Sequence, residues 1–145
     1  MTDTTTTPPP ALNGQIIGQA ERSTRAVLER LLTATDTPFH HWVALNLLGN
    51  QAQSEAGLVE HLSAGLLIDH ADAQTAVDQV RSNGLIDGVD PVVLTAGGRA
   101  RFDTITAGIA DISARLYSGL PHDDLVVARR VLETLTERAR AVLAA

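Results

Sequence analysis

The candidate ligands for a metal ion in this chain are histidine and aspartate side chains. His61, His70 and Asp72 lie close together in the sequence, and imidazole and carboxylate groups are ligands that zinc accepts. Their spacing, however, follows no regular metal-binding pattern. The sequence therefore predicts no metal site and no cofactor.

No arrangement of residues typical of a catalytic centre is visible in the sequence either. There is no glycine-rich loop that could cradle a phosphate, no nucleophile elbow and no evident Ser, His and Asp arrangement. The neighbouring acids Asp123 and Asp124 follow Pro121, where carboxylates stabilise the first turn of a helix. Because helix capping explains them, we expect a protein that is not an enzyme.

The composition suits a small helical protein. The 145 residues are 44% hydrophobic but 3% aromatic, so the core has to be built mainly from Leu, Val, Ile and Ala, which pack well between helices. The absence of cysteine excludes disulfides, thiolate metal sites and a cysteine nucleophile, and it favours a cytoplasmic protein. The formal net charge of −6 argues against generic binding of polyanions.

The N-terminal segment differs from the rest of the chain. Its sequence, MTDTTTTPPP, has neither the basic start nor the apolar core of a signal peptide. We expect residues 1–11 to be a disordered tail and residues 12–145 to form one domain. No apolar run approaches the roughly 20 residues that a membrane-spanning helix needs, so no membrane partner is expected.

Apolar periodicity predicts four helices in the first part of the chain, at residues 12–33, 38–48, 54–63 and 69–83. The expected N-caps are Asp36 or Thr37 for the second helix and Ser54 for the third, and the expected stop signals are Gly49 with Asn50, Gly65 and Gly84. Leu85 and Ile86, the turn DGVDP and then residues 92–94 predict a two-stranded hairpin. Helix, turn, helix and hairpin is the order of a winged helix-turn-helix.

The last third of the chain is predicted to form two helices, which begin at Thr95 and near Pro121. Their apolar residues alternate spacings of three and four, as in helices that pack along a seam. Long amphipathic helices in so small a chain offer more apolar surface than one subunit hides, so we expect a homodimer. The residues expected in its interface are Ile16, Ile17, Leu116, Leu125, Leu132, Leu135 and Val142.

Four stretches in this order resemble the MarR family of bacterial transcriptional regulators. They are HHWVALNLLGN (40–50), VRSNGLI (80–86), LTAGGRARF (94–102) and GLPHDDLVVARRVLETL (119–135). The resemblance implies a mainly α winged helix-turn-helix fold with about six helices and a two-stranded wing. Residues 12–33 and 103–145 would be dimerisation helices, and residues 37–102 the winged lobe that binds DNA. Family members often bind a small effector between these parts.

The helix at residues 69–83 would be the one that enters the major groove. The predicted contacts to base edges are Gln74, Thr75 and Gln79, the predicted contacts to phosphate are Arg81 and Ser82, and the basic cluster near the wing is Arg99 and Arg101. Two alternatives stay open. The helix positions could be ordinary solvated residues, and Arg99 could form an intramolecular ion pair with a nearby aspartate.

This surface departs from the family at the wing and in its charge. The wing tip is DGVDP, without the arginines that family members usually carry there. Residues 69–91 contain five aspartates and one arginine, a formal charge of −4 where phosphates would approach. Each close like-charge contact costs on the order of 1 kcal/mol even in a largely solvated setting. The resemblance therefore implies DNA binding, whereas the local charge opposes it.

His40, His41 and Trp42 open a helix that in the MarR family faces the effector pocket. These three residues could line a site for a small aromatic or anionic ligand, although a capped, partly exposed histidine pair is the commoner arrangement. The sequence thus favours a DNA-binding regulator, a repressor modulated by a small ligand. The alternative is a winged-helix dimer that has lost DNA binding and serves as a ligand-binding or protein-interaction module.

Overall fold

The computed structural model describes residues 11–145 and contains, within that range, six helices and one two-stranded antiparallel hairpin. The elements are α1 (Gly14–Ala34), α2 (Phe39–Asn50), α3 (Glu55–Leu66), α4 (His70–Ser82), β1 (Ile86–Asp87), β2 (Val93–Leu94), α5 (Ala96–Tyr117) and α6 (His122–Ala144). The predicted mainly α winged helix-turn-helix fold is confirmed. The predicted disordered tail lies, except for Ala11, outside the described residues.

The described chain divides into two compact units, one that ends at Ile109 and one that spans Ala110–Ala145. The core of the first unit lies between α2, α3 and α4, where Leu45, Leu58 and Val77 are completely buried. Leu32 of α1 and Ile105 of α5 belong to the same core. Both residues fall in stretches that were predicted to serve dimerisation, so these stretches also stabilise the lobe itself.

The start of α2 differs from the prediction. Thr37 is buried and its hydroxyl donates to the carbonyl of Thr35, 3.1 Å away. Asp36 has a left-handed backbone, with φ of 51°. The predicted N-cap at Asp36 or Thr37 is wrong, because Pro38 takes that position, without a side-chain cap.

Two glycines that were predicted to stop helices lie inside them. α2 continues through Gly49 and Asn50, and the Phe102 ring lies so close to Gly49 that a Cβ atom would not fit. α3 continues through Gly65 to Leu66, because the left-handed stop falls on Leu67, with φ of 54°. These two stop signals are corrected, whereas Gly84 does follow α4, with φ of 74°.

The predicted cap at Ser54, the predicted start of α5 at Thr95 and the hairpin are confirmed, and the structure adds a cap at Asp69. The side chains of Ser54, Asp69 and Thr95 accept hydrogen bonds from Gly57, Asp72 and Gly98 backbone N–H groups at 3.1, 2.8 and 3.1 Å, respectively. The strands pair antiparallel, with Ile86 opposite Leu94 and Asp87 opposite Val93. Gln53 forms a further bridge to Val92, which joins the hairpin to the segment before α3.

The second unit consists of the end of α5 and the whole of α6. Pro121 is the N-cap of α6, and Asp123 and Asp124 lie in its first turn as predicted. No residue of Ala110–Ala145 is buried. Within residues 11–145, no helix is both long and apolar enough to cross a membrane.

Candidate functional site

The outer face of α4 is the surface on which the predicted base contacts lie. Ala73, Ala76, Val77 and Val80 point into the core, which leaves the opposite side of the helix to solvent. Thr75 and Ser82, two of the predicted DNA contacts, are exposed there. Asp78 is exposed on the same side, so a carboxylate stands between them.

Two of the predicted base contacts already form hydrogen bonds within α4. The side-chain amide of Gln74 donates to Asp78 Oδ1 at 2.9 Å, and the hydroxyl of Thr75 donates to the carbonyl of Ala71 at 2.9 Å. To donate to a base, the Thr75 hydroxyl would have to leave this carbonyl, whereas the Gln74 amide keeps a second N–H and its oxygen for a base. Ser82 forms no side-chain hydrogen bond among the residues that the structure describes.

Gln79 lies on a flank of α4 and contacts α2. Its Oε1 accepts a hydrogen bond from Nε2 of His41 at 2.8 Å, and the His41 side chain is nearly enclosed, with 8% of its surface exposed. Sequence reasoning assigned Gln79 to a DNA surface and His41 to a ligand site. The structure instead brings the two residues together.

Arg81, a predicted phosphate contact, is engaged inside the lobe. Its Nη2 lies 2.6 Å from Glu55 Oε1 and its Nη1 donates to the carbonyl of Gly88 at 2.9 Å. The two side chains are 32% and 25% exposed. The guanidinium thus connects the end of α4 to the start of α3 and to the wing, and a phosphate would have to compete with these partners.

The wing itself is held against the start of α3. The Glu55 N–H donates to the carbonyl of Val89 at 2.8 Å, and the Val92 N–H donates to the carbonyl of Gln53 at 2.7 Å. The loop between the two strands is Gly88–Val92. Its charged residue, Asp90, is exposed, so the wing presents a carboxylate rather than a cation.

Arg99 and Arg101 are the two arginines of the lobe that form no ion pair within the described part of the chain. The Arg99 guanidinium lies 5.3 Å from the centre of the Phe102 ring. Arg101 lines a shallow hollow of about 360 Å³ with Thr35 and Thr104. The alternative of an intramolecular ion pair for Arg99 is therefore wrong, and both cations are available to an anion.

The net charge of the lobe is negative. Residues 37–102 contain seven carboxylates and three arginines, and one of those arginines, Arg81, is paired with Glu55. Because affinity for the phosphate backbone comes mainly from cations, the lobe has Arg99 and Arg101 as its free positive groups.

Of the three predicted ligand residues, His40 and His41 lie at one hollow and Trp42 does not. His40 and His41 line a hollow of about 470 Å³ between the start of α2 and one flank of α4, which also includes Phe39, Asp72 and Gln79. Trp42 is buried instead and stacks on Phe102, with ring centres 5.9 Å apart. Placing Trp42 in this site was wrong, because it is a core residue. The interpretation of a capped, partly exposed histidine pair fits His40, which is exposed, but not His41.

The predicted dimer residues carry exposed apolar surface. Leu132 and Leu135 of α6 are 43% and 39% exposed and Val142 is 75% exposed. Leu116 and Ile16 are also exposed, whereas Leu125 and Ile17 are partly buried. Sequence reasoning missed Val126, Val127 and Val131 of α6, which are exposed as well. They lie outside the three-four spacing, so the predicted seam did not include them.

The histidines outside the hollow have other partners. Nδ1 of His61 donates to Gln53 Oε1 at 2.6 Å, and Nε2 of His70 lies 3.1 Å from Glu60 Oε2. Among residues 11–145, no three potential ligand side chains are placed to hold a metal ion.

Many solved structures are similar in fold to this chain. A MarR family protein from Mycobacterium tuberculosis in complex with DNA is 20% identical with a TM-score of 0.68, and the match covers 87% of this chain and 98% of that one. CouR from Rhodococcus jostii bound to p-coumaroyl-CoA is 18% identical with a TM-score of 0.71, over 84% and 89% of the two chains. NadR in complex with 4-hydroxyphenylacetate is 16% identical with a TM-score of 0.71, over 90% and 96%.

At the level of sequence, no protein-family model matches the chain, and no curated protein is significantly similar to it. At identities near 20%, the structural likeness speaks for the fold. The chain has the winged-helix fold of MarR-type regulators.

Proposed function

We propose that this chain is a homodimeric transcriptional regulator of the MarR type, a repressor whose winged lobe binds double-stranded DNA and whose binding is modulated by a small ligand. The observation that carries the proposal is the order of α3, α4 and the hairpin, within a fold shared with a MarR family protein in complex with DNA. The small molecules bound to CouR and NadR favour an effector. A regulator of this kind would act in the cytoplasm, without enzymatic activity.

The exposed apolar side chains of α6 support the homodimer. None of its 23 residues is buried, although leucines and valines recur along it. Leaving so much apolar surface in water is unfavourable, and surfaces of this kind usually mark an interface. A second copy of the chain is the natural partner, because a two-fold dimer lets the same surface cover itself.

The DNA contact would combine base readers on α4 with phosphate contacts from α5. Thr75 and Ser82 are exposed on the outer face of α4, and Gln74 and Gln79 flank them. Arg99 and Arg101 supply cations free to bind phosphate. Arg81 is the weakest of the predicted contacts, since its guanidinium is bound to Glu55 and Gly88.

A second candidate function is favoured by the charge of the lobe. With Asp78 on the outer face of α4 and Asp87 and Asp90 at the wing, phosphates would meet carboxylates at several points. A winged-helix dimer with this surface could have lost DNA binding and act as a ligand-binding or protein-interaction module.

A titration of fluorescently labelled DNA, taken from the region that flanks the gene, distinguishes the two functions. The first predicts saturable binding at about 50 mM salt that weakens steeply towards 200 mM, because counterions are released when phosphates are neutralised. Arg99→Ala and Arg101→Ala should each weaken binding and lower the salt dependence by about one ion. Arg130→Ala in α6, outside the lobe, is the matched control. Absence of binding at 50 mM salt would favour the second function.

A further inference from the structure

The hollow between the start of α2 and the flank of α4 is lined by the Asp72 carboxylate and contains no lysine or arginine. We propose that it binds a small organic cation, that is, an ammonium or amidinium group carried on a flat apolar or aromatic body. This inference deepens the ligand part of the proposed function and rests on it. It differs from the small aromatic or anionic ligand that the sequence suggested for His40 and His41.

His41 carries the first argument. Its Nε2 donates to Gln79 Oε1 at 2.8 Å, and in the tautomer that makes this bond Nδ1 carries no hydrogen and is an acceptor. This nitrogen has no hydrogen-bond partner among residues 11–145 and is reached by solvent, although the residue as a whole is only 8% exposed. A nearly enclosed imidazole with a free acceptor in the wall of a hollow favours a ligand that donates a hydrogen bond.

Asp72 and Thr75 add two more acceptors. The Asp72 carboxylate is exposed at the hollow and forms no ion pair within the described part of the chain. The hydroxyl hydrogen of Thr75 is used for the carbonyl of Ala71, which leaves its oxygen to accept. Hydrogen bonds between an ionised carboxylate and a cationic donor are about twice as strong as neutral ones.

The walls of the hollow contain no permanently charged cation that would attract an anion. Neither lysine nor arginine lines it. Arg25 lies nearby, with its guanidinium 4.7 Å from the centre of the Phe39 ring, but it is paired with Glu21 at 2.7 Å. A carboxylate ligand would therefore meet Asp72 without compensation.

The remaining walls suit an apolar body. Phe39, Pro38 and Ala76 contribute apolar surface, and the volume of about 470 Å³ lies within the range of small-molecule sites. The hollow is open on one side, so the ligand would be small, with an aromatic ring against Phe39 and its cationic group directed to Asp72.

Occupation of the hollow would compete with DNA. Thr75 and Gln79 line the hollow and are also predicted base contacts. Because two ligands that need the same side chains weaken each other reciprocally, the organic cation would release DNA, and DNA would release the cation.

Isothermal titration of the full chain, without DNA, tests the site directly. The probes are 2-phenylethylamine and phenylacetate, which share a ring and differ in charge. We expect the amine to bind about tenfold more tightly than the acid or better. No saturable binding of the amine, or equal affinity for the two probes, would overturn the proposal.

Two matched substitutions on α4 locate the amine. Asp72→Asn should weaken its binding about tenfold, because the charged partner is lost. Asp78→Asn removes the same charge from the outer face and should leave it unchanged. Thr75→Leu retains both charges but fills the hollow, and it should also weaken binding about tenfold. An equal response to Asp72→Asn and Asp78→Asn would show attraction by net charge and contradict the site.

DNA binding is then measured separately by polarisation, with and without saturating amine. If the chain binds DNA, the amine should weaken that binding about tenfold, and Asp72→Asn should remove the effect. An unchanged DNA affinity would refute the competition. If the chain does not bind DNA at all, the proposed regulator fails, while the calorimetric comparison still decides whether the hollow takes an organic cation.

Discussion

The two compact units of the chain use their apolar side chains in opposite ways. In the unit that ends at Ile109, Leu45, Leu58 and Val77 are completely enclosed. In Ala110–Ala145, leucines and valines are as frequent along the helices, yet no residue is buried. The first unit can be stabilised by its own core, since removing apolar surface from water is the main driving force of folding. The second unit needs another surface to gain the same stabilisation.

The largest expected effect comes from a substitution inside the core of the first unit. Gly98 is buried, and the carbonyl oxygen of Leu85 lies where a Cβ atom would be placed. Because this neighbour is backbone and cannot rotate away, Gly98→Ala should lower the free energy of unfolding by about 3 kcal/mol. Urea denaturation followed by circular dichroism measures the change.

Gly65→Ala is the control for that prediction. Gly65 lies within α3, and no neighbouring atom is close to the place that a Cβ atom would take, so alanine meets open space there. It should stabilise the chain by about 0.5–1 kcal/mol, because alanine loses less backbone entropy in a helix than glycine. If the two substitutions had the same effect, the claim that the Leu85 carbonyl leaves no room for a side chain at Gly98 would be contradicted.

Structural features that depend on neighbouring residues could be predicted from the sequence, whereas those that depend on distant residues could not. The hairpin and the helix starts at Ser54 and Thr95 depend on neighbouring residues, and the sequence predicts them correctly. Gly49 resembles a stop signal in the sequence, but its role is to admit the Phe102 ring. That role depends on which side chain arrives from a distant helix, and local sequence does not contain this information.

The candidate site was predictable to a similar extent. Periodicity along α4 correctly leaves Thr75 and Ser82 on the exposed side. The partners of its flanking residues were not predictable, because Gln79 pairs with His41 and Arg81 with Glu55, 38 and 26 positions away in the sequence. Trp42 was assigned to the ligand site because of its neighbours in sequence, whereas in the structure it is buried in the core and stacks on Phe102 of a distant helix.

The second prediction tests whether another copy covers the apolar side chains of the second unit. Leu132→Asp places a charge at the middle of the predicted seam of α6, where the leucine is 43% exposed. If this position is central to a dimer interface, the dissociation constant of the dimer should rise about thirtyfold or more. Analytical ultracentrifugation over a concentration series measures it.

Ala141→Asp is the matched control, since it adds the same charge on the side of α6 away from that seam. The dimer should tolerate it, and the core of the first unit should remain folded in both variants. A chain that sediments as a folded monomer before any substitution would contradict the interface altogether.

The third prediction concerns the ion pair that connects α3, α4 and the wing. Arg81 and Glu55 are partly shielded from solvent, and the guanidinium also binds the Gly88 carbonyl. Arg81→Ala, Glu55→Ala and the double variant form a thermodynamic cycle. We expect a coupling free energy of about 1–2 kcal/mol, because charge-assisted hydrogen bonds that are partly buried are stronger than exposed ones. Additive effects of the two substitutions would argue against a direct interaction.

The smallest expected effect comes from the same pair of residue types in the second unit. Arg129 Nε and Glu133 Oε1 are 2.7 Å apart, but the side chains are 81% and 61% exposed. The hydrogen bond to Glu133, and then its charge, raise the pKa of Arg129. Because the pKa of Arg129 is raised on folding, its contribution to the stability of the folded chain is complete at any pH below the ordinary arginine pKa. It is lost only as the pH rises through the higher pKa of the folded chain. Because both values lie above the pH range in which proteins are studied, Arg129 should give no pH dependence of stability between about pH 5 and 9.

Glu133→Gln and Glu55→Gln therefore compare the same type of ion pair in two settings, exposed in the second unit and partly buried in the first. Water screens the exposed pair of α6, so Glu133→Gln should change the melting temperature by no more than about 1 °C. Glu55→Gln should lower the melting temperature by several degrees, because the partly buried Arg81 guanidinium would lose its charged partner. Melting curves at equal protein concentration measure both. If Glu133→Gln were as costly as Glu55→Gln, Arg129 and Glu133 would have to be covered in the folded protein, and the interface between the two copies would extend over this flank of α6.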